Sequence, residues 1–392
     1  MRVLVSTTAG SGHFGPLVPF AVACRAAGHE VRVAAPASFA GSVESSGFVH
    51  CPFADVPAGV LGPIFGRLGA MSFEAANATV MGEIFGRLDA QAALPGVSAV
   101  IDDWRPDLVV REPCEFASLV AAERAGIRHV QVAISVAGVF ESAWPILAGP
   151  LAELSALAGL PADRGSAAML RTPGLTCVPA SLDELVDRVP AALGQSPLWR
   201  FRDRTSYDGS SALPAPWGDP QLPLIYVTFG SVTGGLEPFA LVYAATLAAL
   251  ADTPVRVLMT TGARIDPASL RPWPANAHVE RWWPQADVMT DTAAVVGHGG
   301  FGTTMMALAA GVPQVVVPMF AFDQVVNAER VAAVGAGVHL EGGPSASTRL
   351  AAAVLDVLGS ARFRERAATI AAEMAALPDA TSAVPILEQL AA

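Results

Sequence analysis

Charged residues are scarce in this chain, cysteines are scarcer, and long apolar runs are missing. Only 15% of the 392 residues are charged and 52% are hydrophobic, which favours large buried sheets over disorder. A net charge of −11 disfavours nucleic acid and anionic membranes as partners. No apolar run approaches the roughly 18 residues that cross a bilayer. A chain of this length is expected to form two domains.

The few cysteines are widely spaced, and none forms a Cys-x-x-Cys pair: Cys24, Cys51, Cys114 and Cys177. They are predicted to be free, mostly buried thiols in a reducing compartment. The first five residues hold too few apolar side chains for a signal peptide. We therefore expect a cytoplasmic protein without a membrane anchor, and the choice between a monomer and a homodimer stays open.

Apolar strands alternate with helical segments in both halves of the chain, the pattern of parallel α/β sheets. Predicted strands include 2–8, 30–35, 108–110 and 130–134, then 224–229, 255–260, 294–297 and 314–317. Segments 53–104 and 136–180 interrupt the alternation and are expected to line a pocket. We predict an N-terminal domain at 1–206, a Pro- and Gly-rich linker at 207–221, a C-terminal domain at 222–375, and a final helix at 376–392 packing on the first domain.

A glycine-rich turn follows the first strand, Gly10-Ser11-Gly12-His13-Phe14-Gly15. It matches the dinucleotide pattern, but the second strand ends Ala34-Ala35-Pro36 and lacks the acid that would hold a ribose. His13 is then a candidate general base, although a lone His is more often structural. Glu112 ends another strand of the same sheet and either orients His13 or pairs with Arg111.

A second turn, His298-Gly299-Gly300-Phe301-Gly302-Thr303, joins a strand to a helix start and so suits phosphate. No Lys follows these glycines and no Asp-x-Asp occurs, so neither a P-loop nor a metal-held diphosphate is predicted. Further candidate contacts follow neighbouring strands: Ser231, Trp282, Gln285, Asp323 and Gln324. Each has a structural alternative, such as a helix cap for Asp323 or core packing for Trp282.

Taken in order, these motifs resemble the family-1 glycosyltransferases of the GT-B fold, in particular actinomycete enzymes that glycosylate antibiotics. The resemblance covers nearly the whole chain. It implies two Rossmann-like domains with parallel sheets facing across a cleft, the N-terminal domain binding the acceptor and the C-terminal domain the nucleotide sugar. It also implies an inverting, metal-independent transfer to a hydrophobic natural-product aglycone such as a polyketide, without a cofactor.

The resemblance also assigns roles to the candidate residues. His13 would deprotonate the acceptor hydroxyl with Glu112 behind it, where the family usually has Asp. Trp282 would stack on the base and Gln285 would lie near the pentose. The diphosphate would be held by Ser231, His298, Gly300, Gly302 and Thr303, and the sugar hydroxyls by Asp323 and Gln324.

Met306 departs from the pattern of members that use UDP-sugars, which often carry Glu eight residues after the loop His. A thioether cannot bind a ribose 2′-hydroxyl but packs against a sugar without one. A dTDP-sugar donor is therefore expected. Rival interpretations are a UDP-sugar transferase or epimerase of the same fold, a catalytically silent nucleotide-sugar-binding partner, and an NAD(P)-dependent dehydrogenase.

The side chains of segments 53–104 and 136–180 are the reason for expecting an apolar acceptor. They carry few charges and several large apolar residues: Phe65, Met71, Phe73, Met81, Phe85, Phe140 and Trp144. These side chains fit either a pocket for a large aglycone or an ordinary core.

Overall fold

The computed structural model describes residues 1–137, 139–183, 196–203, 213–214, 216–230, 232–235, 239–341 and 343–392, without the side chains of 140–142 and 343–344. Within these ranges two parallel sheets form. The first has the order β3-β2-β1-β4-β5-β6-β7 and the second β10-β9-β8-β11-β12-β13. The strands are β1 (Arg2–Ser6), β2 (Glu30–Pro36), β3 (Val49–Phe53), β4 (Leu108–Arg111), β5 (Arg128–Val132), β6 (Gly174–Thr176), β7 (Leu198–Arg200), β8 (Leu224–Thr228), β9 (Arg256–Thr260), β10 (Ala277–Glu280), β11 (Thr292–Gly297), β12 (Gln314–Val316) and β13 (Gly337–His339).

Helices connect the strands and cover both faces of each sheet. In the first half they are α1 (Ser11–Phe14), α2 (Val18–Ala26), α3 (Ala40–Ser45), α4 (Ala58–Leu68), α5 (Phe73–Ala78), α6 (Ala90–Trp104), α7 (Phe116–Ala125), α8 (Val139–Leu157), α9 (Arg164–Arg171) and α10 (Ala180–Asp183), with a π-helical segment at Thr79–Asp89. In the second they are α11 (Val242–Leu250), α12 (Gln285–Met289), α13 (Phe301–Ala309), α14 (Phe322–Ala333), α15 (Ser347–Gly359), α16 (Ala361–Ala376) and α17 (Val384–Ala391).

The central strands form because their apolar runs are buried on both faces, as parallel sheets require. Val5 in β1 stands opposite Val33 in β2 and Val110 in β4, and all three are at most 1% exposed. β11 lies between β8 and β12 in the same manner. In both sheets the carboxyl ends of these strands carry the glycine-rich turns, which fixes the edge at which the candidate site lies. The predicted α/β class with two facing parallel sheets is confirmed.

Several strands were not predicted. Segment 136–180 was expected to interrupt the α/β alternation, yet it contains β6, and β3, β7 and β13 also lie where no strand was predicted. β6, β7 and β13 have only three residues each and lie at or next to a sheet edge, so none has an apolar run long enough to mark it. β3 is an edge strand of five residues in which His and Pro interrupt the apolar residues.

The last helix returns to the first half of the molecule. Leu387 of α17 is buried in the apolar cluster that contains Phe20 and Cys24 of α2. Just before α17, the N–H of Arg202 donates to the carbonyl of Pro378 at 2.8 Å, and Arg202 forms a parallel bridge with Asp379. The two halves are thus joined near Arg202 as well as through the segment between them.

The cysteines are free thiols, as predicted, with Cys177 half-buried and the other three buried. Of the helices that the structure describes, none combines the length and the apolar character needed to cross a membrane.

Candidate active site

One cavity of about 970 Å³ lies between the carboxyl ends of the two sheets. Its walls include the turn after β1 and the π-helical segment on one side, and the turns after β10, β11 and β12 on the other. Both glycine-rich turns found in the sequence therefore open into the same space. An arrangement of this kind can hold two substrates side by side.

His13 reaches the cavity from the short helix α1. Gly10 precedes this helix with φ at 126°, a conformation that glycine adopts without strain, and it turns the chain sharply away from β1. The His13 side chain is 22% exposed, and its Nδ1 lies 3.2 Å from Oε1 of Glu112. Nδ1 is held by the carboxylate, so Nε2 is the nitrogen left for a substrate.

Glu112 is fully buried behind His13, at the end of β4. Its Oε1 accepts hydrogen bonds from the Thr8 N–H (3.2 Å) and hydroxyl (2.9 Å), and its Oε2 accepts one from the Cys114 N–H at 2.6 Å. Burial alone would raise the pKa of Glu112, but His13 and the two N–H donors outweigh burial and lower it. The carboxylate therefore stays ionised although no water reaches it.

The Glu112 carboxylate in turn raises the pKa of His13. Burial would lower the pKa of the imidazole, but the adjacent Glu112 carboxylate, with smaller contributions from Asp323 and Asp89, raises it overall. An imidazolium formed by proton uptake is thus stabilised where it forms. This is the electrostatic requirement for a general base.

Arg111 does not form the alternative ion pair with the Glu112 carboxylate. Its guanidinium is buried and donates to the main-chain oxygen of Glu112 at 2.8 Å and to Oε1 of Gln131 at 3.0 Å. The Glu112 side chain consequently faces Thr8 and His13.

In the part of the chain that the structure describes, one group of three side chains has the spacing of metal ligands: His13, Glu112 and Cys114, with ligand atoms within 4.8 Å of one another. Both Glu112 oxygens already accept backbone N–H groups. Burial and the Glu112 charge raise the pKa of the Cys114 thiol well above its usual range, so the thiolate that a metal needs is disfavoured. This chemistry fits a proton-transferring pair better than a metal centre.

The turn after β11 directs backbone groups into the cavity. Gly299 has φ at 86°, and α13 begins after Gly300, so the first N–H groups of this nine-residue helix are unpaired at the cavity wall. The amide of Asn327, fully buried, donates to the Gly299 oxygen at 2.7 Å and fixes the turn. Burial lowers the pKa of His298 to about 4, so its imidazole is neutral. The positive potential here thus comes from the helix end.

Gln285 and Thr303 meet in the same wall. The Gln285 amide donates to Oγ1 of Thr303 at 3.2 Å, while the hydroxyls of Tyr226 and Thr260 lie 2.9 Å apart beneath them. Trp282 is 71% exposed at the cavity rim, so one face of its indole is free to stack.

Asp323 and Gln324 enter the cavity from the first turn of α14. Burial raises the pKa of Asp323, and the charge of His13, which lines the same cavity, lowers it in part. The Gln324 oxygen accepts the N–H groups of Met319 (2.9 Å) and Phe320 (3.3 Å). Only its amide NH₂ remains for a ligand.

The structure therefore brings most of the sequence candidates to one cavity: His13, Trp282, Gln285, His298, Gly300, Gly302, Thr303, Asp323 and Gln324. Glu112 lies one layer behind, and Ser231 lies outside the described residues. Among the apolar candidates, Phe65, Met81 and Phe85 line the cavity; Met71, Phe73 and Trp144 do not, and the Phe140 side chain is outside the description.

Sequence reasoning missed Asp89 and Tyr226, which also line the cavity, and the role of Asn327 in holding Gly299. Tyr226 is preceded by the apolar pair Leu224-Ile225, and its position in a strand gave no sign of a polar contact at the strand end. Asn327 follows Asp323 by one helical turn, which was a usable signal for the same wall.

Two family models match the chain, both described as erythromycin biosynthesis protein CIII-like: the C-terminal domain at residues 244–390 and the N-terminal domain at 68–148. The chain is 32% identical to an L-demethylnoviosyl transferase of Streptomyces niveus, over 100% of this chain and 98% of that protein.

Solved structures agree with these matches. The glycosyltransferase SnogD from Streptomyces nogalater superposes with a TM-score of 0.75 and 28% identity, over 100% of this chain and 99% of that one. The glycosyltransferase SsfS6 of Streptomyces sp. SF2575, solved with thymidine diphosphate, gives a TM-score of 0.71 and 26% identity, over 99% of each chain.

Proposed function

This chain belongs to the erythromycin biosynthesis protein CIII-like family of glycosyltransferases, and we propose that it transfers a deoxysugar from a dTDP-sugar to an apolar natural-product aglycone such as a polyketide, with inversion and without a metal. The observation that carries the proposal is the pairing of His13 with buried Glu112 at 3.2 Å, in a cavity shared with the α13 helix start.

The proposed step is a single displacement. An acceptor hydroxyl donates its proton to Nε2 of His13 while its oxygen attacks the anomeric carbon of the donor. The bond from that carbon to the diphosphate oxygen breaks on the opposite face, and dTDP leaves with the bonding electrons. A positioned general base of this kind contributes about 10²–10⁴-fold.

The second sheet would hold the donor. The first N–H groups of α13, including those of Gly302 and Thr303, would donate hydrogen bonds to the diphosphate, together with the Thr303 hydroxyl and the turn at Gly300, which line the cavity. They would stabilise the charge that grows on the leaving group. Trp282 would stack on the base and Gln285 would contact the pentose. The Asp323 carboxylate and the Gln324 amide would bind sugar hydroxyls. These contacts supply charge stabilisation without a metal ion.

Met306 supports a thymidine rather than a uridine nucleotide. It packs, like Trp283, against the apolar cluster that contains Tyr226, and its thioether side chain lines the cavity. A thioether packs against a 2′-deoxyribose, whereas it is only a weak acceptor for a ribose 2′-hydroxyl. The related SsfS6 structure contains thymidine diphosphate, which is consistent with this choice.

Substitution of His13 by Ala tests the catalytic part of the proposal. We expect loss of sugar transfer to a polycyclic phenol such as 2-naphthol, with dTDP binding by calorimetry unchanged. A wild-type protein that binds dTDP but transfers no sugar from any dTDP-sugar would favour the silent-partner alternative.

Competition between dTDP and UDP tests the donor separately. We expect dTDP to bind more tightly to the wild-type protein, and Met306→Glu to narrow the difference. Equal affinity of the wild type for the two nucleotides would refute the thymidine assignment without affecting the proposed base.

A further inference from the structure

Carboxylates in the cavity wall differ in what they bind. Asp55 accepts hydrogen bonds from the Ser38 N–H and hydroxyl, and Glu115 accepts the Ser118 N–H in capping α7. The main-chain N–H groups of Asp323 and Gln324 lower the pKa of the Asp323 carboxyl, in opposition to its burial. The Asp89 carboxylate, in contrast, accepts no hydrogen bond from any residue that the structure describes.

Asp89 is the last residue of the π-helical segment, and it faces the acceptor side of the cavity. Phe85, four residues earlier, lies on the same face, with its ring centroid 5.2 Å from that of His13. A Cβ at Gly86 would lie 2.9 Å from Pro150 of α8, so this segment is packed closely against α8 and cannot easily turn Asp89 away. The same segment also contributes the apolar side chains of Met81 and Ile84 to the cavity wall.

Asp89 is half-buried and lines the cavity, so its carboxylate is available to accept a hydrogen bond from a ligand. Glu112 cannot serve this purpose, since it is buried and its oxygens are occupied. Given the function proposed above, on which this inference rests, we infer that Asp89 binds a second hydrogen-bond donor of the acceptor, a hydroxyl or amino group distinct from the hydroxyl that is glycosylated. The acceptor class is thereby narrowed to apolar molecules with at least two polar donors.

The protonation of Asp89 agrees with this role. Burial raises its pKa to about 6; His13 opposes the rise, and Glu112, Asp55 and Glu115 add to it. At pH 7 the group is therefore mostly an anion that accepts a hydrogen bond strongly, and below pH 6 it becomes a neutral acid. Equilibrium binding, rather than turnover, must be measured, because His13 titrates in the same cavity.

Calorimetric binding of 2-naphthol and of dihydroxynaphthalene isomers to the dTDP-saturated protein tests the inference. At pH 7 the best diol is expected to bind wild-type protein about 10- to 100-fold more tightly than 2-naphthol, the range for a hydrogen bond to a charged group. In Asp89→Leu this ratio should fall toward one, with Asp89→Asn between the two. The wild-type ratio should fall between pH 7 and pH 5, and that of Asp89→Leu should not.

Asp55→Asn is the matched control, because its carboxylate is already occupied by Ser38 and its removal should leave the diol preference unchanged. Equal ratios in wild type and Asp89→Leu, or a wild-type ratio near one, or no binding of any naphthol, would overturn the inference while leaving the donor site intact. Failure of the wild type to bind dTDP would instead refute the proposed function itself.

Discussion

Replacement of Glu112 by Gln removes the charge behind His13 with little change in shape. His13 Nδ1 lies 3.2 Å from Glu112 Oε1, and the centres of the two charges are somewhat farther apart. At about 4 Å and an effective dielectric constant of about 20, the attraction is about 4 kcal/mol. Loss of most of this attraction, about 3–4 kcal/mol, corresponds to a decrease of about 10²–10³-fold in kcat.

The assay is steady-state transfer to 2-naphthol, together with calorimetric binding of dTDP. kcat should fall as calculated, while the Kd for dTDP should change less than about threefold, since Glu112 does not line the cavity. Glu115→Gln is the control: this carboxylate is also buried beside the site but caps α7 through Ser118. It should lower stability by about 1 kcal/mol and leave kcat nearly unchanged.

The pH profile gives the sign of the effect. The base acts in its neutral form, so activity rises with pH through the pKa of His13, which Glu112 keeps above its ordinary value. In Glu112→Gln burial is opposed only by the smaller effects of Asp323 and Asp89, so the pKa of His13 falls and the acid limb should move to lower pH even as the maximum falls. An unchanged kcat, or an acid limb that moves to higher pH, would refute the proposed role of the pair.

Three further predictions concern the donor side. A Cβ at Gly302 meets no atom within 4 Å, so Gly302→Leu should keep the stability of the wild type but weaken dTDP binding at least about tenfold. In Gly300→Ala the added Cβ would lie 2.5 Å from Nε2 of His298, so this variant should also have a lower melting temperature. Equal dTDP affinity of Gly302→Leu and wild type would contradict the proposed diphosphate site. The pKa of His298 is about 4, and a bound diphosphate raises it. Binding of dTDP near pH 5.5 should therefore be coupled to proton uptake, measured by calorimetry in buffers of different ionisation enthalpy, and His298→Gln should take up fewer protons. Identical uptake by the two proteins would exclude His298 as a phosphate contact. Dialysis against a chelator should leave the transfer rate unchanged, and loss that Mg²⁺ or Zn²⁺ restores would refute metal independence.

The parts of the site that follow strand ends could be predicted from the sequence. His13 and Asp323 each follow an apolar run and a turn, His298 directly follows its strand, and parallel strands bring such positions to one edge. The same logic located Glu112 at the end of β4, although not its burial behind His13. Local pattern and topology were sufficient for these residues.

Asp89 could not be found in this way. It lies at the end of a π-helical segment, whose wider turn no common sequence pattern marks. The role inferred for it depends on the absence of a hydrogen-bond donor to its carboxylate among the described residues. The choice between Arg111 and His13 as partner of Glu112 also depended on side-chain direction within a buried layer. Such choices are decided by tertiary packing and not by spacing along the chain.

The contact between Arg202 and Asp379 bears on how the two halves of the chain are tied together. The chain passes from the first half to the second after Arg202 and returns after α16, and the structure holds these two crossings side by side through the parallel bridge and the Arg202–Pro378 hydrogen bond. The hydrogen bond at this place joins main-chain groups, the Arg202 N–H and the Pro378 carbonyl. A side-chain substitution at either crossing therefore leaves it in place, and the tie between the two halves does not depend on which side chains stand there.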